Sequence, residues 1–554
     1  MVRGWIEAMR KEVRGMHEAA YLLAIFALLS QLLALLRDRL FASQFGIGET
    51  LDVYYAAFRI PDFLFTTIAS LFSLYAILPV LTKHRGGETR LIDGVLVWFF
   101  ALIGAIAAVV YVFVPTLALH LAPGFSDGQL ESVVRTTRIL LLQPILLGAS
   151  NILASLTQLR SRFMLYAISP VLYNAGIIFG ALYLYPSFGI DGLAYGVLIG
   201  AALHLLVQVP HYFGERISQR GPLVPVPMRE ILTLSVPRTL ALSASQLTML
   251  ALVSLASTLS AGSISAFTFS MNLQSVPLAI IGVSYSVAAF PTLARLIGEG
   301  QREEFIAHMG AALRHIFFWS IPALVLVIVL RAQIVRVVLG AGAFDWNATR
   351  LTAALLAVFI VSLLAQGVVY LVARGYYASG NTKRPLLLAL IFVLVSIVTS
   401  VFLLALFNAN EHIRYFFEAL LRVEDVPGTE ILMLGLGFSI GCLVHAGSAL
   451  FLFHRDFKVS LLPLVVTGMR SFAAAVIGGF ASYSALTIVG EFVDIGTLPG
   501  IFAQGLVGGV VGVGITALVL QALRSPELEE VVDALRRKFR DKPDVAVEAS
   551  ELTS

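Results

Sequence analysis

Three things are scarce in this chain of 554 residues: cysteine, charge and any motif of covalent chemistry. The single cysteine, Cys442, lies within an apolar stretch, which excludes an intramolecular disulfide and a cysteine-based metal cluster. Only 13% of the residues are charged, against roughly a quarter in soluble domains. No Walker loop, nucleophile elbow or His/Asp/Glu metal spacing occurs, so no enzymatic step, metal or cofactor is expected. Residues 1–18 carry Arg3, Arg10, Lys11 and Arg14, and the apolar run behind them has no small-residue cleavage pattern. It reads as a retained first span, not a removed signal.

What the chain has in abundance is apolar length. It is 58% hydrophobic with a mean hydropathy of +0.88, and a span needs about 20 mostly apolar residues. Fourteen stretches qualify, near 19–36, 53–81, 92–114, 139–159, 163–185, 189–210, 231–260, 264–293, 311–330, 352–373, 385–407, 430–453, 463–487 and 499–523. The fold class expected is an all-α polytopic membrane protein with about 14 transmembrane helices. With a cytoplasmic N-terminus, 27 of the 38 Lys and Arg residues fall in cytoplasmic segments and nine in external loops. That bias places both termini inside. The net charge of +4 and pI of 9.1 therefore reflect topology, not nucleic-acid binding.

The chain also repeats itself. "ASQFGIG" (42–48) corresponds to "ASTLSAG" (256–262), "RIPDF" (59–63) to "SVPLA" (275–279), and "LPVL" (78–81) to "FPTLA" (290–294). "LAPGF" (121–125) corresponds to "LGAGAF" (339–344), and the turn at Arg160 and Arg162 to Lys383 and Arg384. "GVLIGAALH" (196–204) corresponds to "GFSIGCLVH" (437–445), each with Gly, Gly and His four residues apart. Spans 1–6 and 7–12 are thus two copies running in the same direction, a parallel repeat about an axis along the membrane normal. The expected organisation is a cytoplasmic segment 1–18, lobes at 19–220 and 221–455, two added spans in 456–524 and a cytoplasmic tail 525–554. In the tail, "SPELEEVVDALRRKFRDKP" reads as a short surface helix, acidic first and basic last.

"LLRDRLFASQFGIGETLDVYYAAFRIPDF" (35–63) holds seven charged residues, and with "SVPRTLALSASQL", "VPLAIIGVSYSVAAFPTLARL", "LGAGAFDWNATRLTAALL" and "ARGYYASGNTKRP" it resembles the MurJ/MviN lipid II flippase family of the multidrug/oligosaccharidyl-lipid/polysaccharide exporter superfamily. The likeness runs from about residue 28 to 455. It implies two six-helix lobes around a cationic cavity and a lipid-tail groove formed by spans 13 and 14. It also implies a bacterial plasma-membrane protein that moves undecaprenyl-diphosphate-linked peptidoglycan precursor outward. Partners would be lipid II or a related lipid-linked saccharide, membrane lipids and cell-wall synthesis proteins.

An arginine in mid-bilayer costs about 3 kcal/mol and usually faces a cavity, and its guanidinium suits phosphate oxygens. Arg37 and Arg59 match the family's basic positions and are the leading anion-site residues, unless Arg37, Asp38 and Arg39 simply sit at the water interface. Asp38 and Asp52 match its acidic positions and are assigned to holding arginines or to gating. The resemblance also shows departures: Gln31, Phe65 or Thr66, Ser70 and Met271–Asn272 stand where the family carries charges. Asn272, Gln274 and Gln246 remain as neutral donors. Arg238 is either a contribution from the second lobe or an orientation signal, and Arg374 is either a family site residue or part of a tight turn with Lys383 and Arg384. His204 and His445 are proton carriers or, more simply, satisfied interior donors. Pro61, Pro79, Pro277 and Pro291 are hinges or static kinks. Spans 7 and 11 lack carboxylates, which leaves membrane potential as a driver. Two other readings stand beside the flippase: the same mechanism with another lipid-linked oligosaccharide, and a non-transporting scaffold that kept the fold.

Overall fold

The computed structural model describes residues 16–72, 77, 80, 81, 87–160, 162–218 and 225–540. The basic N-terminal residues, Pro79 and the last fourteen residues lie outside that set, as does the side chain of Arg238. The described residues form helices and their connections. The first half contains α1 (Met16–Phe45), α2 (Glu49–Leu64), α3 (Glu88–Leu121), α4 (Asp127–Leu140), α5 (Leu142–Leu159), α6 (Phe163–Phe179), α7 (Ile190–Leu206) and α8 (Val209–Ser218). There follow α9 (Met228–Ser257), α10 (Ser263–Leu278), α11 (Ser284–Gly298), α12 (Arg302–Leu339), α13 (Trp346–Ile360), α14 (Leu363–Ala378), α15 (Lys383–Ala409), α16 (Glu411–Leu421) and α17 (Ile431–Phe457). The last are α18 (Leu462–Gly490), α19 (Leu498–Ala522) and α20 (Pro526–Arg540).

Each of the fourteen expected stretches contains helix. Eleven helical spans among the described residues are long and apolar enough to cross a bilayer, or twelve when α13 and α14, bent by 43°, count as one. The number fourteen is therefore not reached on that criterion. The two segments not counted are α1 and α2, which carry the charge cluster of residues 37–62. One π-helical turn, Phe65–Ala69, extends α2 beyond Pro61, and another, Ala279–Val283, follows Pro277. The two copies thus share the same helix distortion, 214 residues apart, at the place where proline removes a backbone donor.

Two compact units are present, Met1–Val276 with Val335–Ser362 and Gly380–His445, and Pro277–Ile334 with Leu363–Ser379 and Ala446–Ser554. The first joins both sequence copies, and its contacts obey the repeat. A Cβ added to Gly124 would lie 2.2 Å from the Ser257 carbonyl oxygen, and one added to Gly342 would lie 2.2 Å from the Ser43 carbonyl oxygen. Ser43 and Ser257 are equivalent residues of the duplicated "AS" segments, as Gly124 and Gly342 are of the loops 121–125 and 339–344. Each copy's loop therefore rests on the other copy's helix end, the reciprocal pattern that two-fold symmetry imposes. The same correspondence governs helix packing. Gly196 and Gly200 of α7 meet Gly180 and Gly176 of α6, while Gly437 and Gly441 of α17 meet Ser400 and Ser396 of α15. Small residues let the backbones approach without hydrogen-bonding side chains between them. His204 shares a 2.7 Å hydrogen bond with Ser150, and His445 stacks on Phe392. Both histidines serve packing.

In the second unit α18 packs along α19, and the opposite faces expose Phe472, Phe480, Leu506 and Val510. The tail helix α20 docks on α12 and α18 through Glu527, which is 2% exposed. Its carboxylate accepts from Thr467 Oγ1 at 2.7 Å and Ser525 Oγ at 2.8 Å, with Arg314 Nε at 3.6 Å. Burial pushes this carboxyl up, but those hydrogen bonds and the guanidinium outweigh it and hold the group below the usual glutamate range.

A lowered carboxylate contributes its stability above the ordinary value and loses it as pH falls through the folded one. Acidification below about pH 4.5 is expected to release α20, seen as a change in Trp319 fluorescence that Glu527→Gln abolishes. In the first unit, Gly441→Val places a branched side chain where a Cβ already meets Ser396 Oγ at 1.9 Å. It should destabilise by roughly 1–3 kcal/mol, read as a lower Tm in detergent. Gly447→Ala, with open space around it in the interior of α17, should not lower Tm, since alanine favours a helix over glycine.

Candidate functional site

Within the first unit α1, α2, α6 and α10 line a half-open cavity of about 270 Å³. Its wall is Arg37, Phe41, Tyr54, Tyr55, Phe58, Arg59, Asp62, Tyr173, Ile177, Thr268, Met271 and Asn272. Three of the expected substrate residues, Arg37, Arg59 and Asn272, therefore meet here, although they lie up to 235 residues apart in the chain.

The two arginines are in different states. Arg37 is neutralised locally: its Nε and Nη2 donate to Asp38 Oδ1 at 3.0 and 2.8 Å, and Nη1 donates to Asn174 at 3.3 Å. The other Asp38 oxygen accepts from Asn272 Nδ2 at 2.9 Å. Asp38 is 3% exposed, so both of its oxygens are committed, and it holds α1 to α10. Arg59 has no such partner. Its Nη2 makes only a 3.5 Å bond to Thr268 Oγ1, and its buried Nε has none; the buried Tyr55 hydroxyl is also unpartnered. An unmade hydrogen bond to a buried donor costs about 1–3 kcal/mol. Both donors belong to residues that line the same cavity.

Asp52 lies elsewhere. Its carboxylate is 4% exposed and accepts from the backbone N–H groups of Gly262 at 2.6 Å and Ser265 at 2.7 Å. It caps the first turn of α10 from the opposite copy, where orphan amides and the helix dipole favour negative charge. The position equivalent to Asp52 in the second copy is Ala266, so this bond breaks the two-fold symmetry. Beside it Gly262, at φ +93°, turns with its Cα against Ile47 and Gly48. Arg39 also leaves the cavity, donating to the Val337 carbonyl at 2.6 Å at the end of α12. The end of the unit near residues 46 and 262 is thus closed by backbone contacts and by Asp52.

Gln274 is 2% exposed and absent from the cavity wall, because two residues beyond Asn272 on a helix faces the other way. Gln246 ties α9 to the π turn of α2 through Thr66, at 3.2 Å. Arg374 belongs to the second unit, half-buried on α14. Asp62, Tyr55 and Tyr173 are not among the site residues expected from the sequence, although Asp62 belongs to the charge cluster at 35–63. Tyr55, Arg59 and Asp62 stand at i, i+4 and i+7 of α2, a helical-face spacing that could have found two of the three. Among the described residues no group of His, Cys, Asp and Glu is arranged to hold a metal.

A sequence profile of the family described as "Lipid II flippase MurJ" matches residues 41–411. The chain is 27% identical over 394 residues to the lipid II flippase MurJ of Burkholderia cenocepacia, covering 67% of this chain and 75% of that protein. With the probable lipid II flippase MurJ of Thermotoga maritima it shares 26% identity over 458 residues, covering 79% and 92%. Its fold is similar to a solved lipid II flippase MurJ in an inward closed conformation, with a TM-score of 0.72 at 23% identity over 91% of this chain and 99% of that one. A multidrug-resistance MATE transporter in an inward-facing conformation gives 0.63 at 16% identity, over 77% and 94%.

Hydrogen bonds to a charged group contribute about 1.5–3 kcal/mol each, so Asp52→Ala should loosen the closed end. In a Cys442→Ser background, a cysteine at Ser263, which is 2% exposed, is expected to react at least tenfold faster with a membrane-impermeant maleimide when Asp52 is replaced. Equal rates would show that Asp52 does not hold this end shut.

Proposed function

The chain belongs to the MurJ family of lipid II flippases, and from that premise we propose how its cavity handles the lipid-linked diphosphate. The protein is a multi-pass bacterial inner-membrane flippase whose substrate is lipid II. The observation that carries the site reading is the buried, unsatisfied pair of donors, Arg59 Nε and Tyr55 Oη, facing a cavity among membrane-spanning helices.

A diphosphate oxygen placed there accepts from both donors and relieves the cost of holding a guanidinium away from water. Arg37, held by Asp38, forms the second side of the anion site, and Asn272 keeps Asp38 turned towards Arg37. The aromatic wall of Phe41, Tyr54 and Phe58, with ring centroids 5.0–5.4 Å apart, excludes bulk water. With both termini cytoplasmic, as the basic residues favour, the closed end at residues 46 and 262 faces outward. The substrate then enters from the cytoplasmic leaflet and leaves when the reciprocal glycine contacts and the Asp52 cap separate. In the second unit, the exposed apolar faces of α18 and α19 suit the undecaprenyl tail.

No bond is made or broken, so binding and conformational exchange account for the work. Each negative charge carried outward across about 100 mV is favoured by roughly 2.3 kcal/mol. The readings as a scaffold or as a carrier of another oligosaccharide are not favoured: the first leaves the unsatisfied donors without a role, and the second departs from the family without an observation to support it.

The test is replacement of the host's flippase by this chain, scoring external lipid II. Arg59→Ala should abolish rescue and Arg59→Lys restore only part, since lysine lacks the bidentate fork. Arg37→Ala should also fail, while Gln274→Ala, away from the cavity, should rescue fully. Full rescue by Arg59→Ala at normal membrane abundance refutes the site.

A further inference from the structure

The charges around the cavity do not favour an anion as they stand. Two guanidiniums, Arg37 and Arg59, are balanced by two carboxylates, Asp38 and Asp62, so the site has no net positive charge to offer a diphosphate. Asp38 cannot be the adjustable member, because both of its oxygens are bonded and it is nearly inaccessible. Asp62 is different: it lines the cavity itself, one turn from Arg59 on the same face of α2. The groups facing it are Arg59, Tyr54 and Tyr55 on α2, Arg37 on α1, Gln143 on α5, Tyr173 on α6, and Thr268 and Asn272 on α10. Gln143 Nε2 donates to the Tyr173 hydroxyl at 3.4 Å. The tyrosines, Thr268 and the two amides are neutral. A phosphate brought to Arg59 therefore shares about 270 Å³ with one like charge and competes with it for the same guanidinium.

Two anions confined in one small cavity repel each other strongly at the low effective dielectric of a protein site, and paired carboxylates relieve such repulsion by holding a proton. We propose that Asp62 takes up one proton when a phosphate-bearing ligand enters the cavity and gives it back when the ligand leaves. The carboxylate becomes a carboxylic acid with a proton drawn from water, the site's net charge becomes +1, and the new O–H can donate to the ligand. Asp62 is then a coupling residue, through which the flippase carries a proton with its anion and moves one less negative charge per cycle. This inference rests on the diphosphate reading of the cavity.

The experiment uses the full-length protein in nanodiscs with farnesyl diphosphate as the probe, by calorimetry between pH 5.5 and 8.5 in buffers of different ionisation enthalpy. The wild type is expected to take up about one more proton per ligand than Asp62→Asn. Its Kd should weaken with rising pH by up to tenfold per unit beyond the slope of Asp62→Asn, the limit for one linked proton. The probe's own ionisation is common to both proteins and cancels in the comparison. Asp62→Glu should keep the extra proton, which separates titration from a purely structural effect. Equal proton counts in wild type and Asp62→Asn, with binding that Arg59→Ala abolishes, overturn the coupling and leave the anion site standing. Binding indifferent to Arg59→Ala overturns the anion site and the coupling together.

Discussion

A guanidinium cannot lie idle among membrane-spanning helices; it must be paired, hydrated or waiting for an anion. That constraint organises the first unit. Arg37 meets it with Asp38, and Asp38 in turn needs Asn272, which draws α10 against α1. Arg39 meets it with the last carbonyls of α12. Arg59 meets it incompletely, with one 3.5 Å bond to Thr268 and no partner at its buried Nε. Function is concentrated at the cavity cation whose Nε has no hydrogen-bond partner.

The second theme is symmetry and its breach. The duplicated halves contact one another through equivalent residues, Gly124 on Ser257 and Gly342 on Ser43, so that closure of this end follows from the repeat. Such contacts contain little side-chain interlocking and can part without large desolvation. The Asp52 cap on α10 has no counterpart in the second copy, and it adds charge-assisted bonds to an otherwise glycine-lined seam. A seal of this kind is stiff through one carboxylate and soft elsewhere, which suits an interface that must open. The π turns after Pro61 and Pro277 occupy matching places in spans 2 and 8, giving each copy a weakened point in the helix that follows the seam.

Much of this was legible in one dimension. Apolar runs of the right length marked the helical stretches, the drifting repeat paired the copies, and the Gly-x-x-x-Gly segments at 196–200 and 437–441 proved to be close helix contacts. On length and hydropathy, eleven or twelve spans are counted among the described residues. Of the site residues, Arg37, Arg59 and Asn272 meet at the cavity, whereas Gln274, Gln246 and Asp52 have other surroundings. Asp62 escaped notice although its spacing from Arg59 was visible, since spacing on a helix does not say which face looks into a cavity.

By itself, then, the sequence determined membrane residence, helical segmentation, duplication and the presence of a buried cluster of charge, because these depend on local composition and on period. Only the tertiary structure decided which arginine is satisfied and which is free, that Asp52 caps a helix 210 residues away, and that Asp62 shares the cavity with Arg59. Hydrogen bonds and ion pairs act over about 3 Å, and apart from the neighbouring Arg37–Asp38 pair the residues that satisfy a buried charge here come from distant parts of the chain.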